Sequence, residues 1–406
     1  MMKDLSGTGV RGDLMLTEEM IINIGPQHPS THGVLRLIIN LNGEIIKSTK
    51  PVIGYLHRGM EKLAESRSYY QYLPMVDRID YLSSFFNLAS FCYAVESIAE
   101  LKIPRRAEYI RVITMEFNRI SSHLMWLASF LLDLGATSPL FYAFREREEI
   151  IKLFENLTGA RMMYNYYCFG GVKRDLPEGW IKQAQDLCKK MPKLFDEYEA
   201  IITNNPIFLE RTKNIGILTP EKGIEYGITG PNLRASGVDM DLRKTNNYSV
   251  YNEFDFNSCL AYNGDSYDRY AVRIAEMRES IKIIEQAIEK LPGGSPEKLK
   301  IKRANCGCKN ENCEYCGYDS QLVAKRVNLV AFKPPKGEAT SYVESSRGIT
   351  LCYVQSDGTQ KPYRVKWRTP SFSAVQILPE LINNRPYSDL MAIFGSLDVV
   401  LPEVDR

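Results

Sequence analysis

The stretch Gly25-Pro26-Gln27-His28-Pro29-Ser30-Thr31-His32-Gly33 contains two of the four histidines of this 406-residue chain. Pro29 lies between the two histidines, and glycine or proline bounds the stretch at each end, which disfavours a helix. The i,i+4 spacing therefore does not place both imidazoles on one helical face, as a helical zinc-protease motif requires. The stretch predicts a loop at the tip of a hairpin. Its imidazoles either donate protons near neutral pH or hydrogen-bond the loop backbone.

The segments on either side of this loop predict a small β unit. Met20–Ile24 is strand-like in composition. Farther along, Val34–Leu41 and Glu44–Lys47 flank Asn42-Gly43, which is a strong signal for a two-residue hairpin turn. The histidine loop is therefore expected to project from strands, not from a helix.

Beyond the β unit, the spacing of apolar residues predicts helices. They are predicted at Leu82–Ala99, Pro104–Asp133, Leu140–Leu157, Trp180–Thr203 and Asp268–Leu291, the last of them charged and amphipathic. Strands are predicted at Thr340–Glu344, Ile349–Val354 and Tyr363–Trp367, with a final helix from about Leu378. The long apolar stripes favour a buried helix bundle, so the expected fold class is α+β, mainly α.

This pattern divides the chain into consecutive segments. They are an N-terminal extension (1–19), the β unit (20–60), the helix bundle (61–205), an irregular segment followed by a long helix (206–299), a cysteine-containing loop (300–336) and a β-rich segment with the tail (337–406).

Composition excludes several functions. A net charge of +2 gives no electrostatic argument for binding nucleic acid. The longest apolar stretch, Leu124–Leu134, is much shorter than the roughly 20 residues that a membrane-spanning helix needs. Met1–Glu19 has no apolar core typical of a secretory signal. We therefore expect no transmembrane helix. Any role at a membrane is expected to depend on a partner protein.

Polar residues beside the predicted helices are candidates for chemistry. In Asp77-Arg78-Ile79-Asp80-Tyr81, either an arginine–aspartate pair holds the tyrosine hydroxyl, or Asp77 caps a solvated helix N-terminus. Asp133 either faces a cavity or is solvated at a helix end. His123 fits a satisfied core histidine better than a ligand, and Arg145–Glu149 fits an exposed face of ion pairs.

Four of the nine cysteines form a cluster, Cys306-x-Cys308-x4-Cys313-x2-Cys316. Four thiols at this spacing suit a tetrahedral zinc site, and a metal-free loop is the alternative. An iron–sulfur cluster is less favoured because the loop is very tight. The other cysteines are isolated and expected in the core, and their scatter favours a reducing compartment. No nucleotide-binding glycine motif is present, so nicotinamide binding has no support in this chain.

Several motifs recur together in a known order. They are GPQHPSTHG (Gly25–Gly33), GYLHRGMEK (Gly54–Lys62), DRIDY (Asp77–Tyr81), DLGA (Asp133–Ala136), FRERE (Phe144–Glu148), LRASG (Leu233–Gly237), DLRK (Asp241–Lys244) and the final EVDR (Glu403–Arg406). From Met20 to Arg406 the chain resembles the quinone-site subunit of respiratory complex I. This family comprises the D-type subunit of bacterial NADH-quinone oxidoreductase, the 49-kilodalton subunit of mitochondria and the H-type subunit of chloroplasts.

The resemblance implies the fold of the nickel–iron hydrogenase large subunit, to which that family is similar. A nickel site needs thiolate pairs near both ends of that fold. No cysteine flanks Asp77–Tyr81, and the tail Leu397–Arg406 contains none, so neither nickel nor hydrogenase activity is expected. The stretch Lys300–Lys333 lacks the helical sequence usual in mitochondrial and many bacterial members, and the resemblance to the chloroplast-type members implies a compact segment there.

By resemblance, the chain is a quinone-binding core subunit of a proton-translocating oxidoreductase whose iron–sulfur cluster lies on a partner subunit. The resemblance implies that the electrons come from NADH or from ferredoxin. This sequence does not distinguish between the two donors. The implied catalytic residues are His32 and Tyr81, as donors to the quinone oxygens, and Asp133, as the partner of His32. The resemblance implies a quinone-binding set of His28, His32, Tyr81 and Asp133, and a set near the partner's cluster of His57, Arg58 and His123.

The resemblance also implies location and partners. The chain is expected as a peripheral subunit on the cytoplasmic side of the cell membrane, or on the stromal or matrix side of an organelle membrane. There it would contact the iron–sulfur subunit and other peripheral-arm subunits, with Arg145–Glu149 facing the membrane arm. The alternative function is a zinc-stabilised binding or scaffold subunit of a hydrogenase-related membrane complex, without a redox site of its own.

Overall fold

The computed structural model describes residues 19–28, 33–246, 248–293 and 331–406. The strands in these ranges are β1 (Glu19–Ile24), β2 (Gln27–His28), β3 (Gly33–Val34), β4 (Arg36–Asn42), β5 (Ile45–Val52), β6 (Tyr167–Cys168), β7 (Gly171–Val172), β8 (Gly337–Ser345), β9 (Gly348–Ser356) and β10 (Pro362–Arg368).

The helices in the same ranges lie mostly between the strands β5 and β8 and in the C-terminal tail. They are α1 (Met60–Ser66), α2 (Tyr69–Val76), α3 (Ser84–Ile98), α4 (Arg105–Asp133), α5 (Ser138–Thr158), α6 (Trp180–Ile202), α7 (Pro206–Thr212), α8 (Pro220–Glu225), α9 (Pro231–Arg234), α10 (Leu242–Thr245), α11 (Ser266–Glu289), α12 (Pro370–Gln376), α13 (Leu378–Ile382), α14 (Leu390–Ser396) and α15 (Leu401–Asp405). The mainly α, α+β class predicted from the sequence is confirmed.

The N-terminal sheet is antiparallel with strand order β1-β4-β5. Its hairpin turn differs by one residue from the prediction: Asn42 pairs with Ile45, so Gly43 and Glu44 form the loop. The left-handed conformation of Gly43 (φ 61°) suits that position. The β unit is thus present, with its turn shifted by one residue.

The short hairpin β2–β3 rises from this sheet. It pairs Gln27 with Val34 and His28 with Gly33, so residues 29–32 connect its two strands. The prediction of a β-hairpin beneath the histidine loop is therefore confirmed. His32 itself lies outside the described residues.

The five long helices begin and end within two residues of their predicted positions. The short helices were not predicted, because elements of four to eight residues give little periodic signal. One of them, α2, is recognisable only by its cap: Ser68 and Gln71 exchange hydrogen bonds in a capping box. The single last helix predicted from Leu378 is wrong, since α13, α14 and α15 divide that stretch.

Helix α11 departs most from its predicted environment. The sequence predicts a charged amphipathic helix, yet Arg269, Arg273 and Glu276 are completely buried. The cause is packing on several sides, because α11 contacts α4, α6 and α14. Burial of these charges creates the ion pairs described below.

The C-terminal sheet, with order β10-β9-β8, lies against the bundle. Helix α3 packs on β8 and β9, and the sheet residues Val343, Val354 and Trp367 share one hydrophobic core with the helices. A second core joins the N-terminal sheet to the tail helices. The tail also contacts the C-terminal sheet, because the Arg406 guanidinium donates to the Trp367 carbonyl oxygen, so it connects the two sheets.

Two predictions about composition can be compared with the structure. Cys92, Cys168, Cys188, Cys259 and Cys352 are all buried, as predicted. In the described ranges, no helix is both long and apolar enough to cross a bilayer.

Candidate functional site

The C-terminal helix α15 holds the loop that precedes α1. The Asp405 carboxylate accepts hydrogen bonds from the backbone N–H groups of Gly54 and Leu56, each at 2.8 Å. His57 Nδ1 lies 2.7 Å from the Asp405 carbonyl oxygen. The motifs GYLHRG and EVDR, distant in sequence, therefore form one structural unit.

Arg58 projects from the same loop. Its guanidinium donates to the carbonyl oxygens of Arg78 (2.8 Å) and Pro402 (3.3 Å). Partial burial, followed by the charge of Arg78, lowers the pKa of Arg58. His57 and Arg58 thus lie together against the tail, and Arg78 is the second cation beside them.

Tyr81 lies in the turn between α2 and α3. The neighbouring Asp80 carboxylate accepts from the N–H groups of Leu82 (3.0 Å) and Ser83 (3.2 Å) through one oxygen. Its other oxygen accepts from Arg347 Nη1 at 2.6 Å. The predicted pair that would hold the Tyr81 hydroxyl is therefore wrong: Asp80 pairs with Arg347, from the turn between β8 and β9, and among the described residues neither side chain hydrogen-bonds that hydroxyl. The exposed Arg78 instead donates to the Pro74 carbonyl.

Asp77 does not cap a solvated helix N-terminus, and that alternative is wrong. It lies at the C-terminal end of α2, is completely buried, and accepts from the Asn165 backbone N–H at 2.8 Å. Burial raises the pKa of Asp77 to about 7. A protonatable carboxyl is therefore present four residues before Tyr81.

Arg347 is the centre of a buried group that we call the Arg347 cluster: Asp80, Arg347, Asp398 and Glu403. Besides Asp80, the guanidinium contacts Asp398 Oδ1 at 3.3 Å. Glu403, from α15, accepts a hydrogen bond from the Ser371 hydroxyl. Burial, and then the charge of Asp80, raises the pKa of Glu403 to about 8, so this carboxyl is largely protonated at neutral pH.

The Tyr81 side chain is only partly buried. Burial raises the pKa of its phenol, Asp80 and Asp398 act in the same direction, and Arg347 and Arg147 oppose them. The hydroxyl is therefore protonated at neutral pH, and it makes no hydrogen bond to another described residue. This phenol is a hydrogen-bond donor available to a ligand.

The charged run on α5 is more buried than an exposed ion-pair face. Glu146 is completely buried and pairs with the exposed Arg145, whereas Arg147 is half-buried and acts on Tyr81. Burial lowers the pKa of Arg147. The run thus has one side toward solvent and one side toward the Tyr81 turn.

Asp133 is the last residue of α4 and is partly buried. It lies close to α14: a Cβ placed on Gly395 would lie 3.4 Å from Asp133 Oδ2. The base of the histidine hairpin contacts the tail, since a Cβ on Gly33 would lie 3.0 Å from Leu401 Cδ1. The predicted pairing of Asp133 with His32 stays a prediction, because His32 is not among the described residues.

His123 belongs to a separate buried group, which we call the central ion network. Its members are Glu116, Arg119, His123, Arg234, Asp241, Arg243, Glu276 and Glu344. His123 Nε2 donates to Glu276 at 3.0 Å. Burial lowers the pKa of His123 to about 4, so the ring is neutral. The interpretation of His123 as a satisfied core histidine agrees with this contact.

The central ion network explains two motifs. Arg234 of LRASG bonds Glu276 and Glu344, and Arg243 of DLRK bonds Asp241 and Glu116. Sequence inspection missed Arg347 and Asp398, which stand in no recognised motif. Glu403 is the exception, because it opens EVDR and could have been found there.

Cys306, Cys308, Cys313 and Cys316 lie outside the described residues, so the proposed zinc site has no structural test. Within the described part of the chain, no three His, Cys, Asp or Glu side chains are placed to hold a metal ion.

Comparison with known proteins identifies the family to which this chain belongs. The family described as respiratory-chain NADH dehydrogenase, 49 Kd subunit, matches residues 133–406. The chain therefore belongs to that family, as the resemblance predicted.

Curated relatives extend the similarity over nearly the whole chain. An H-type subunit of NAD(P)H-quinone oxidoreductase from Gloeobacter violaceus is 50% identical over 96% of this chain and 98% of its own length. The chloroplastic H-type subunit from Marchantia polymorpha is 48% identical over 97% and 99%. The D-type subunit of NADH-quinone oxidoreductase from Bacillus mycoides is 47% identical over 97% and 100%. The similarity thus includes the histidine hairpin, the Tyr81 turn and the tail.

Proposed function

We propose that this chain is the quinone-binding core subunit of a proton-translocating NAD(P)H- or ferredoxin-quinone oxidoreductase. One observation carries the proposal: the Tyr81 phenol is protonated and has no hydrogen-bond partner among the described residues. The names of the relatives, which are subunits of quinone oxidoreductases, supply the substrate class.

The chemistry of the substrate explains why such a donor is useful. Reducing a quinone to a quinol takes two electrons and two protons, and negative charge develops on the carbonyl oxygens. A donor at each oxygen stabilises that charge and supplies a proton. We assign Tyr81 to one oxygen and His32 to the other. Asp133 partners His32 and His28 completes the binding set.

A partner subunit would supply the electrons from its iron–sulfur cluster. Arg58 and His57 are assigned to the face toward that cluster, because the loop between Gly54 and Gly59 is rigidly held by Asp405 and carries exposed positive charge. The chain would act as a peripheral subunit, with this partner on one side and the membrane arm near Arg147 on the other.

The test is Tyr81→Phe in the assembled complex. Loss of the donor is expected to lower the rate of quinone reduction by about 10²-fold. Reduction of a water-soluble acceptor that takes electrons before the quinone site should be unchanged. The matched control is Tyr70→Phe, since Tyr70 lies on the adjacent helix α2 and is exposed.

The result that would contradict the proposal is an unchanged rate with both short- and long-chain quinones in the Tyr81→Phe complex. That result, together with loss of assembly on replacing Cys306, Cys308, Cys313 and Cys316 by serine, would favour the zinc-stabilised scaffold instead.

A further inference from the structure

Arg347 lies on one of the most constrained turns of the molecule. The turn joins β8 to β9, and a Cβ on Gly348 (φ 136°) would lie 2.5 Å from the Thr229 hydroxyl oxygen. Arg347 is 2% exposed. Its Nη1 donates to Asp80 Oδ2 at 2.6 Å and to the Ser83 hydroxyl oxygen at 2.9 Å. The guanidinium is therefore fixed in position by the sheet.

Asp80 links the fixed guanidinium to the backbone on both sides of Tyr81. It precedes Tyr81 in sequence, and its second oxygen accepts from the N–H groups of Leu82 and Ser83. The guanidinium thus holds the carboxylate, and the carboxylate holds the turn. Displacement of Arg347 would release Tyr81 although the two side chains have no hydrogen bond in common.

Arg347 also determines the charge around the Tyr81 hydroxyl. Four charged side chains from four parts of the fold act on it: Asp80, Arg147, Arg347 and Asp398. Arg347 alone among them makes ion pairs with both carboxylates, at 2.6 Å to Asp80 and 3.3 Å to Asp398. Without it, two buried carboxylates would act on the phenol with only the half-buried Arg147 to oppose them.

We propose that Arg347 is the positioning residue of Tyr81: through Asp80 it fixes the turn that carries the tyrosine, and its guanidinium supplies the positive charge that balances the two carboxylates, Asp80 and Asp398, beside that turn. The inference rests on the proposed function of Tyr81. A carboxylate-rich pocket without this guanidinium would bind a quinone beside a poorer proton donor.

The experiment places 3,5-difluorotyrosine at position 81 of the assembled complex by stop-codon suppression. The more acidic phenol brings the alkaline limb of the pH profile of quinone reduction into the working range. Arg347→Gln should shift this limb to higher pH by about one unit, because a positive charge is removed. Asp398→Asn should shift it to lower pH by a similar amount, since a negative charge is removed.

A purely structural role of Arg347 would not make Arg347→Gln and Asp398→Asn shift the alkaline limb in opposite directions. Arg347→Lys, which keeps the charge but loses the forked contact, should leave the limb in place and reduce the maximal rate. If Arg347→Gln does not assemble, the Asp398→Asn and Arg347→Lys profiles decide the question. Arg111→Gln is the matched control. Arg111 is also buried, and it donates two hydrogen bonds to the two carboxylate oxygens of Glu96. It is not among the charged groups that act on Tyr81.

The two proposals fail in different ways. If Tyr81→Phe does not slow quinone reduction, the assignment of Tyr81 is wrong. If Tyr81→Phe is slow, yet both charge variants leave the limb unshifted or move it in one direction, Tyr81 keeps its role and the inference about Arg347 is overturned.

Discussion

The central ion network and the Arg347 cluster are both buried, but they differ in how their charges are matched. In the network, Arg119, Arg234 and Arg243 make the ion pairs of the carboxylates, and every member of these pairs is completely buried. In the cluster, one arginine makes the ion pairs with Asp80 and Asp398, and Glu403 lies beside them.

The pKa shifts follow from this difference. In the network, burial opposes ionisation, yet the arginines outweigh it and lower the pKa of Glu116, Asp241 and Glu276. Burial prevails at Glu344, whose pKa is raised. In the cluster, burial wins at Glu403 and its pKa rises. Matched arginines thus keep three of the network's four carboxylates ionised near neutral pH, whereas Glu403 of the cluster titrates in that range. We infer that the first region stabilises the fold and that the second serves the chemistry at Tyr81.

Arg234→Ala should have the largest effect on stability. It would leave Glu276 and Glu344 buried without their shared cation, which costs about 3–5 kcal/mol. Denaturant unfolding of the full chain measures the loss. The control is Arg36→Ala, a partly buried arginine whose partner is the neutral side chain of Asn23, for which only about 1 kcal/mol is expected. Equal losses in the two variants would show that the network does not stabilise the fold.

The contrast between the two regions also marks the limit of inference from sequence. The long helices and the C-terminal strands were predictable because their apolar residues repeat with a fixed period. Tyr81 and Asp133 were identified because they stand in motifs with a known order. The periodicity or motif of a segment indicates the structure of that segment alone and does not identify the residues that contact it in the fold.

The partners of these residues come from elsewhere in the chain. Asp80 and Arg347 are separated by 267 positions, and no periodicity or spacing connects them. The burial of Arg269, Arg273 and Glu276 was missed for a related reason: a helix with charges at regular spacing resembles a solvated helix until its neighbours are known. Tertiary packing therefore decides which charges are paired.

Glu403→Gln should alter how stability depends on pH. Because the pKa of Glu403 is raised to about 8 in the folded chain, the native state retains a proton that the unfolded chain releases above its ordinary pKa of 4.5. This group therefore lowers stability as pH rises from 4.5 to 8, by up to about 1.4 kcal/mol per pH unit. Glutamine removes the contribution.

The measurement is the unfolding free energy of wild type and Glu403→Gln at several pH values between 5 and 8. The variant should become relatively more stable as pH rises and equal wild type near pH 5. A constant difference across this range would show that Glu403 is ionised in the folded protein, and the contrast between the two regions would then be lost. Glu338→Gln, on an exposed strand position, is the control.

His123→Gln should have the smallest effect and separates the two regions most sharply. The ring is neutral and donates to Glu276, so an amide donor should cost about 1 kcal/mol at pH 7. Since burial lowers the pKa of His123 to about 4, wild type loses stability as pH falls from 6.5 toward 4, and the variant should lack this dependence. Quinone reduction at pH 7 should stay within about twofold of wild type once assembly is equal. A loss comparable to that of Tyr81→Phe would instead place His123 in the chemistry, and the central ion network could no longer be separated from the site.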